Sequence, residues 1–358
     1  MDIFYSPNNN NKLNVNTHQA PVTDTRARFR NTLSTQQDWF DIWLRHFASS
    51  AAGIWTTEGE QKPAIPYTLK ELPAFGFRLP VATGAVNSHT PRYDLLGKLD
   101  SPQDHLKKMM KDLGVAMLHF PYLSPHSALL TATRDGIPGL LTKLEACETA
   151  PYIETAGDWD TYWASRGKSR REWGRRERKL MNKDNVRFTC LRDWTEIAPI
   201  FHDILEIEAT GWKGREGSAI IQNDETLGFY TELARHWAED DMLRLFLLYE
   251  DDTPIAFELD AEYNGILHCF KHGYVESYAK SGPGQVLRMQ VLRWAFANEA
   301  VCIFDMFGPD TEAKRKWATD AEELLTLRIF QPSPRGWLAW LRFSFAPRLK
   351  ARFSTRTG

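Results

Sequence analysis

A chain of 358 residues with a formal net charge of −2, 42% hydrophobic and 25% charged, is long enough for two cores and too close to neutral for a bulk electrostatic drive toward nucleic acid or membrane. Its composition is that of an ordinary globular protein. Cys147, Cys190, Cys269 and Cys302 stand far apart with no CxxC and no close His/Cys partner, which argues against a zinc framework or a disulfide scaffold, so no metal is expected.

Residues 1–30 are polar and Asn-rich, lack apolar periodicity and read as a mobile tail. They contain no apolar stretch of the kind a secretory signal needs, and no run of about 18 apolar residues follows, so a cytoplasmic protein is expected. Phe40, Trp43, Leu44 and Phe47 then repeat at helical spacing. Trp55–Leu79 mixes short apolar runs with prolines, which reads as strands and loops; a helix is expected around Gln103–Leu113, with an apolar run at Val115–Phe120. Residues 31–150 therefore read as one small α/β lobe. In the second lobe, 151–330, helical patterns cover Glu196–Ala209 and Glu225–Ala238. Strand patterns follow at Leu243–Tyr249, Ile255–Ala261 and Ile266–Phe270, with Asn264–Gly265 as a two-residue hairpin signal. A Gly-rich turn opens a helix (Gln285–Ala297), and strand Val301–Phe307, a short helix near Thr311–Ala318 and strand Leu324–Phe330 complete a β-β-β, turn, α-β-α-β order. Residues 331–358 read as a basic, aromatic helix and tail.

The turn carries the sharpest chemical signal. In KSGPGQVLRMQVLRWA, which starts at Lys280, the small residues Ser281, Gly282 and Gly284 let a ligand approach the backbone, and a helix begins at once. Exposed amides and the positive end of the helix dipole make such a junction an anion site, most naturally for a pyrophosphate. The competing reading is a plain connector that uses Gly and Pro only to turn. Neither GxxxxGK[ST] nor GxGxxG is present.

Four blocks add a resemblance: Asp158–Leu180 (DWDTYWASRGKSRREWGRRERKL), Glu208–Ile220 (EATGWKGREGSAI), Pro254–Leu287, and Phe304–Trp317 (FDMFGPDTEAKRKW). In this order, over roughly Tyr152–Phe330, the chain resembles the GNAT superfamily, and within it the cellulose-biosynthesis-associated (CelD-type) acetyltransferases, which are similar to FemAB-type ligases. The resemblance implies two GNAT-like lobes, each a mixed, mostly antiparallel sheet flanked by helices. It also implies acyl-CoA or acetyl-CoA as co-substrate, with the pyrophosphate on Ser281, Gly282, Pro283, Gly284, Gln285 and Val286. The usual Q/RxxGxG/A signature is replaced here by SGPGQ. A small-molecule or glycan-precursor acceptor in envelope or exopolysaccharide metabolism is implied by the resemblance alone.

In WKGREGSAI, Trp212 offers an apolar wall and Lys213 an anion contact, which suits a substrate loop as well as a solvated turn. Transfer to an amine needs a proton acceptor. His272, past the third strand, and Asp305, on the next strand, are the two candidates; imidazole titrates in the useful range without tuning, whereas a carboxylate needs a raised pKa. Lys314 and Trp317 are candidates to contact substrate or to pack. No Ser/His/Asp or Cys/His arrangement is present, so direct transfer without a covalent enzyme intermediate is expected. The basic run Arg166–Lys183 reads as a solvated helix face, a site for the 3′-phosphate of CoA, or a grip on RNA. The segment PRGWLAWLRFSFAPRLKARFSTRTG fits either a helix docked on the body or one lying on a membrane. Acyl-CoA-dependent transfer to an amine or hydroxyl is the leading expectation. A Fem-like transferase drawing on aminoacyl-tRNA and a non-catalytic binding module are the rivals.

Overall fold

The computed structural model describes residues 25–48, 51–57, 63–215, 217 and 219–354, apart from the side chains of Thr25, Trp212, Lys213 and residues 345–354. The first 24 residues of the expected tail lie outside that description, and 25–30 form a 3-10 turn whose Phe29 is buried against Tyr152.

Helix α1 (Gln37–Phe47) buries Trp39, Phe40, Ile42 and Trp43. Strands β1 (Ala52–Thr56), β2 (Ala64–Ala74) and β3 (Phe77–Gly84) follow, then α2 (Pro102–Asp112), β4 (Met117–Leu123), α3 (Ala128–Thr133) and β5 (Leu141–Glu154). Beyond them come α4 (Trp159–Ser165), α5 (Gly167–Met181), β6 (Val186–Leu191), α6 (Trp194–Ile197), α7 (Phe201–Thr210), α8 (Trp212–Arg215) and α9 (Asp224–Glu239). The chain closes with β7 (Leu243–Glu250), β8 (Thr253–Tyr263), β9 (Ile266–Tyr274), α10 (Pro283–Ala297), β10 (Ile303–Asp305), α11 (Glu312–Arg315), β11 (Asp320–Phe330) and α12 (Pro334–Ser354).

The α/β class and the element order of the second half are as expected. Asn264 and Gly265 both take positive φ in the turn joining β8 to β9, the geometry a tight hairpin demands. The strands of the two halves, however, hydrogen-bond into one eleven-stranded mixed sheet in the order β1-β2-β3-β4-β11-β5-β10-β9-β8-β7-β6. The boundary expected at 150 falls inside β5, whose long ladder with β11 covers Leu141–Tyr152. β11 itself lies between β4 and β5, so the last strand of the second half completes the sheet of the first.

Helices cover both faces. On one face α1, α7 and α9 bury a large apolar cluster containing Trp39, Phe229, Trp237 and Phe257; on the other, α4, α5 and α10 enclose Val286, Leu287, Phe304 and Trp317. Helix α12 lies against the sheet through Ala339, with Leu338, Trp340 and Phe343 beside it and Ala74, Leu79, Met117 and Phe330 beneath. No helix among the described residues is long and apolar enough to cross a membrane. Of the four cysteines, Cys269 is buried, Cys147 is exposed, and Cys190 and Cys302 are partly exposed.

Candidate functional site

β10 is short. It pairs in parallel with β9 only over Ile303–Asp305 against Ile266–His268, while β9 runs on to Tyr274 with β8 along its other edge. The strands therefore part after His268, and among the described residues no strand lies beside the edge of β9 from Cys269 to Tyr274. A cavity of about 560 Å³ opens there. Its walls are β9 (His272, Gly273, Tyr274), β8 (Phe257, Glu258), the start of α10, the end of α7 (Glu208) and the segment Met306–Trp317.

The Gly-rich turn forms one end of the cavity. Gly282 sits at φ 67, ψ 46, the left-handed conformation that favours glycine, and caps α10 with Pro283 at its first turn. The amides of Gln285 and Val286 both donate to the Gly282 carbonyl, and proline has no amide hydrogen, so Gly284 supplies the remaining first-turn N–H. Gly282, Gly284 and Gln285 line the cavity. Ser281 does not; its hydroxyl donates to the Tyr278 carbonyl at 2.8 Å. Pro283 and Val286 turn into the core. The basic run Arg166–Lys183 supplies the cation at this end: Arg176 of α5 reaches the turn, donates to Gln285 Oε1 at 2.5 Å and lines the cavity.

Arg288, Glu258, Asp260 and Lys314 set the electrostatics. At the floor, Arg288 Nε donates to Glu258 Oε1 at 2.7 Å, and both residues line the cavity. Beneath them Asp260 is fully buried, with neither carboxylate oxygen hydrogen-bonded to a described residue. Burial first, and the Glu258 carboxylate second, push the Asp260 carboxyl well above its usual range. Glu258, Asp260 and Cys269 bring ligand atoms within 4.8 Å of one another, but the Arg288 guanidinium already donates to Glu258 and, at 3.3 Å, to Cys269 Sγ. It supplies the positive charge there, and the set is read as a charge-compensated core rather than a metal centre. On the wall, Lys314 donates to the carbonyls of Phe307 and Pro309; burial lowers its pKa. Trp317 lines the cavity from a stack on Trp173 with ring centroids 3.6 Å apart.

Asp305 requires a correction. It does not line the cavity but lies fully buried, accepting from Arg92 Nη1 at 2.5 Å, with His268 Nδ1 3.1 Å away. Despite burial, the Arg92 charge holds this carboxyl far below the usual carboxylate range, the reverse of what a general base at neutral pH requires. Arg92 also donates through Nε to Glu322 Oε2 at 2.7 Å, tying the segment after β3 to β10 and β11. His272, by contrast, is exposed on the cavity wall. The backbone of Trp212 and Lys213 forms α8, and Gly211 before it lines the cavity; their side chains lie outside the described residues.

Residues 167–315 match the model of the acetyltransferase (GNAT) domain. No curated protein sequence matches this chain. Among solved structures it is similar to the C-terminal (DUF2156) domain of a protein assigned as a lysylphosphatidylglycerol synthetase from Agrobacterium fabrum (12% identity, 86% of this chain, 91% of that one, TM-score 0.52). It is also similar to FemX (12%, 84% and 94%, TM-score 0.53) and to L-PGS from Bacillus licheniformis (11%, 89% and 98%, TM-score 0.51). At these identities the likeness is one of fold.

Proposed function

We propose that the chain is an acyltransferase that takes an acyl group from a CoA thioester and passes it to an amine or hydroxyl in the cavity beside β9. The observation that carries this reading is the parting of β9 from β10 directly before a helix N-terminus that has a cation, Arg176, at hydrogen-bonding distance from its first turn. A pyrophosphate suits the Gly282–Gln285 end. An amide-bearing arm suits the unpaired edge of β9, which can add to it as a strand would. The thioester would then lie between His272 and Lys314. As the acceptor atom bonds to the carbonyl carbon, Lys314 or an exposed β9 amide stabilises the developing oxyanion. His272 receives the proton the acceptor loses, directly or through water. The C–S bond breaks as the intermediate collapses, and the thiolate leaves with a proton. A panel of acyl-CoAs tested by thermal shift checks the reading: the matching thioester raises the melting temperature through binding to the native state, and no shift with any thioester overturns it.

A second reading is favoured by one feature of α5. Lys168, Arg170, Arg171, Arg175, Arg178 and Lys179 are exposed on it and make no ion pair with any described residue, and Arg176 of the same helix enters the cavity. A continuous cationic face leading to the site suits an RNA-borne acyl donor, as in Fem-like aminoacyl transfer. Binding of that donor would fall steeply with salt, because each neutralised phosphate releases counterions.

A further inference from the structure

We infer that the edge formed by the β2–β3 turn and the outer side of α12 is a docking surface for an anionic lipid bilayer. The turn places Phe75 and Phe77 side by side, each 60% exposed, on either side of Gly76. Phe75 takes φ 49, a conformation that bulky residues rarely adopt. Two phenyl rings held out at a hairpin tip serve no core: the neighbours Ala74 and Leu79 turn inward while these two face solvent.

Helix α12 shares this edge. Ala339 packs in the same apolar cluster as Ala74 and Leu79, which brings the helix beside the hairpin tip. Gly336 and Ala339 let the helix approach closely, Ala339 being fully buried. At about 100° per residue, Trp337 and Leu341 fall on the opposite side of the helix. Trp337 is accordingly 50% exposed. The helix is thus docked on the body and still presents Trp337 on its outer side.

Charge selects the occupant. From Gln331 to Gly358 the sequence carries Arg335, Arg342, Arg348, Lys350, Arg352 and Arg356, and no Asp or Glu. Arg335 and Arg342 are exposed and form no ion pair with any described residue. A second protein chain would have to bring its own acids to this edge, whereas an anionic membrane supplies negative charge along the whole helix together with an interface that takes up Trp and Phe. Since no described helix is long and apolar enough to span a bilayer, the attachment is peripheral and reversible.

The test is co-sedimentation of the full chain with vesicles of one part phosphatidylglycerol to two of phosphatidylcholine. The wild type is expected to bind these vesicles, to bind phosphatidylcholine alone far less, and to be released as NaCl rises from about 0.1 to about 0.5 M. Phe75→Asn, chosen because Asn accepts positive φ, combined with Phe77→Ser, is expected to weaken partitioning about tenfold or more, and Trp337→Ser likewise. Unchanged melting temperatures certify that these surface variants are folded. Undiminished vesicle binding by both variants overturns the proposal. So does a wild-type dimer in sedimentation velocity that the variants abolish, since the edge would then bind a second copy of this chain. Failure here leaves the acyl-CoA reading standing, because that reading is scored by thioester binding without lipid.

Discussion

Replacing Arg92 with leucine removes the cation that two buried carboxylates share. In the native chain Arg92 is 1% exposed, donates to Asp305 at 2.5 Å and to Glu322 at 2.7 Å, and lies 4.1 Å over the Phe29 ring. Glu322 keeps the Ser124 hydroxyl at 2.6 Å, and Asp305 keeps His268 at 3.1 Å, but neither partner supplies a full positive charge when His268, whose pKa is lowered by burial, is neutral. Breaking one side of a buried pair typically costs about 3–5 kcal/mol, because the remaining charge cannot be solvated. Urea denaturation of Arg92→Leu should therefore show a stability loss of that order. The pH dependence has a definite sign. The Asp305 pKa is depressed in the folded state, so its contribution is fully present above the unfolded value of about 3.9 and is lost as pH falls toward the folded value. The gap between wild type and variant should narrow as pH falls, first as the stranded buried carboxylates of the variant take up protons above the ordinary carboxylate range and then, below about pH 4, as the wild-type Asp305 contribution is lost. Adding Asp305→Leu to Arg92→Leu should recover part of the loss. A loss under about 1 kcal/mol at neutral pH would refute the assignment of Asp305 as a structural anion and return it to the list of bases.

Arg176→Ala should weaken acyl-CoA binding roughly 10- to 100-fold, the loss of one charge-assisted contact of about 1.5–3 kcal/mol, with an unchanged melting temperature; isothermal titration measures it. His236, its pKa raised first by the hydrogen bond to Asp38 that joins α9 to α1, adds stability that is complete below its unfolded pKa of about 6.5 and fades as pH rises through the higher folded value. Asp38→Asn should flatten the stability slope above that pH, as followed by melting temperature across a buffer series.

The second half of the fold was legible because local signals agree there. Leu243–Glu250 is a nearly continuous apolar run, Thr253–Tyr263 alternates apolar and acidic residues from Phe257 onward, Asn264–Gly265 is a hairpin turn, and Gly282–Pro283 opens a helix. β5 was not legible. Its sequence LTKLEACETAPYIE interleaves Thr142, Lys143, Glu145, Glu148 and Thr149 with apolar residues, and its place is set by pairing with β11, some 180 residues later, which no local pattern reports. The same limit governed the site. Gly282, Gly284, Gln285, His272, Lys314 and Trp317 were reachable because turn chemistry and titratable residues cluster around one strand–helix junction. Asp305 was misread because its partner Arg92 is 213 positions away, and Arg176 was visible only as one of many cations in a basic helix. Docking of α12 on the body could be posed from spacing only as one alternative, and packing through Ala339 shows it.

The account turns on whether a CoA thioester lies along β9 with its pyrophosphate at the Gly282–Gln285 turn. The most direct test is isothermal titration of acetyl-CoA and longer acyl-CoAs into the wild type and Gly284→Val. A side chain at Gly284 would begin 3.1 Å from the Tyr274 ring, on the cavity wall, so the extra methyl groups intrude where the ligand must pass. The account predicts saturable binding of at least one thioester to the wild type and a severe loss in Gly284→Val at unchanged fold. Undiminished affinity in a folded Gly284→Val protein, or no heat with any thioester, would contradict it.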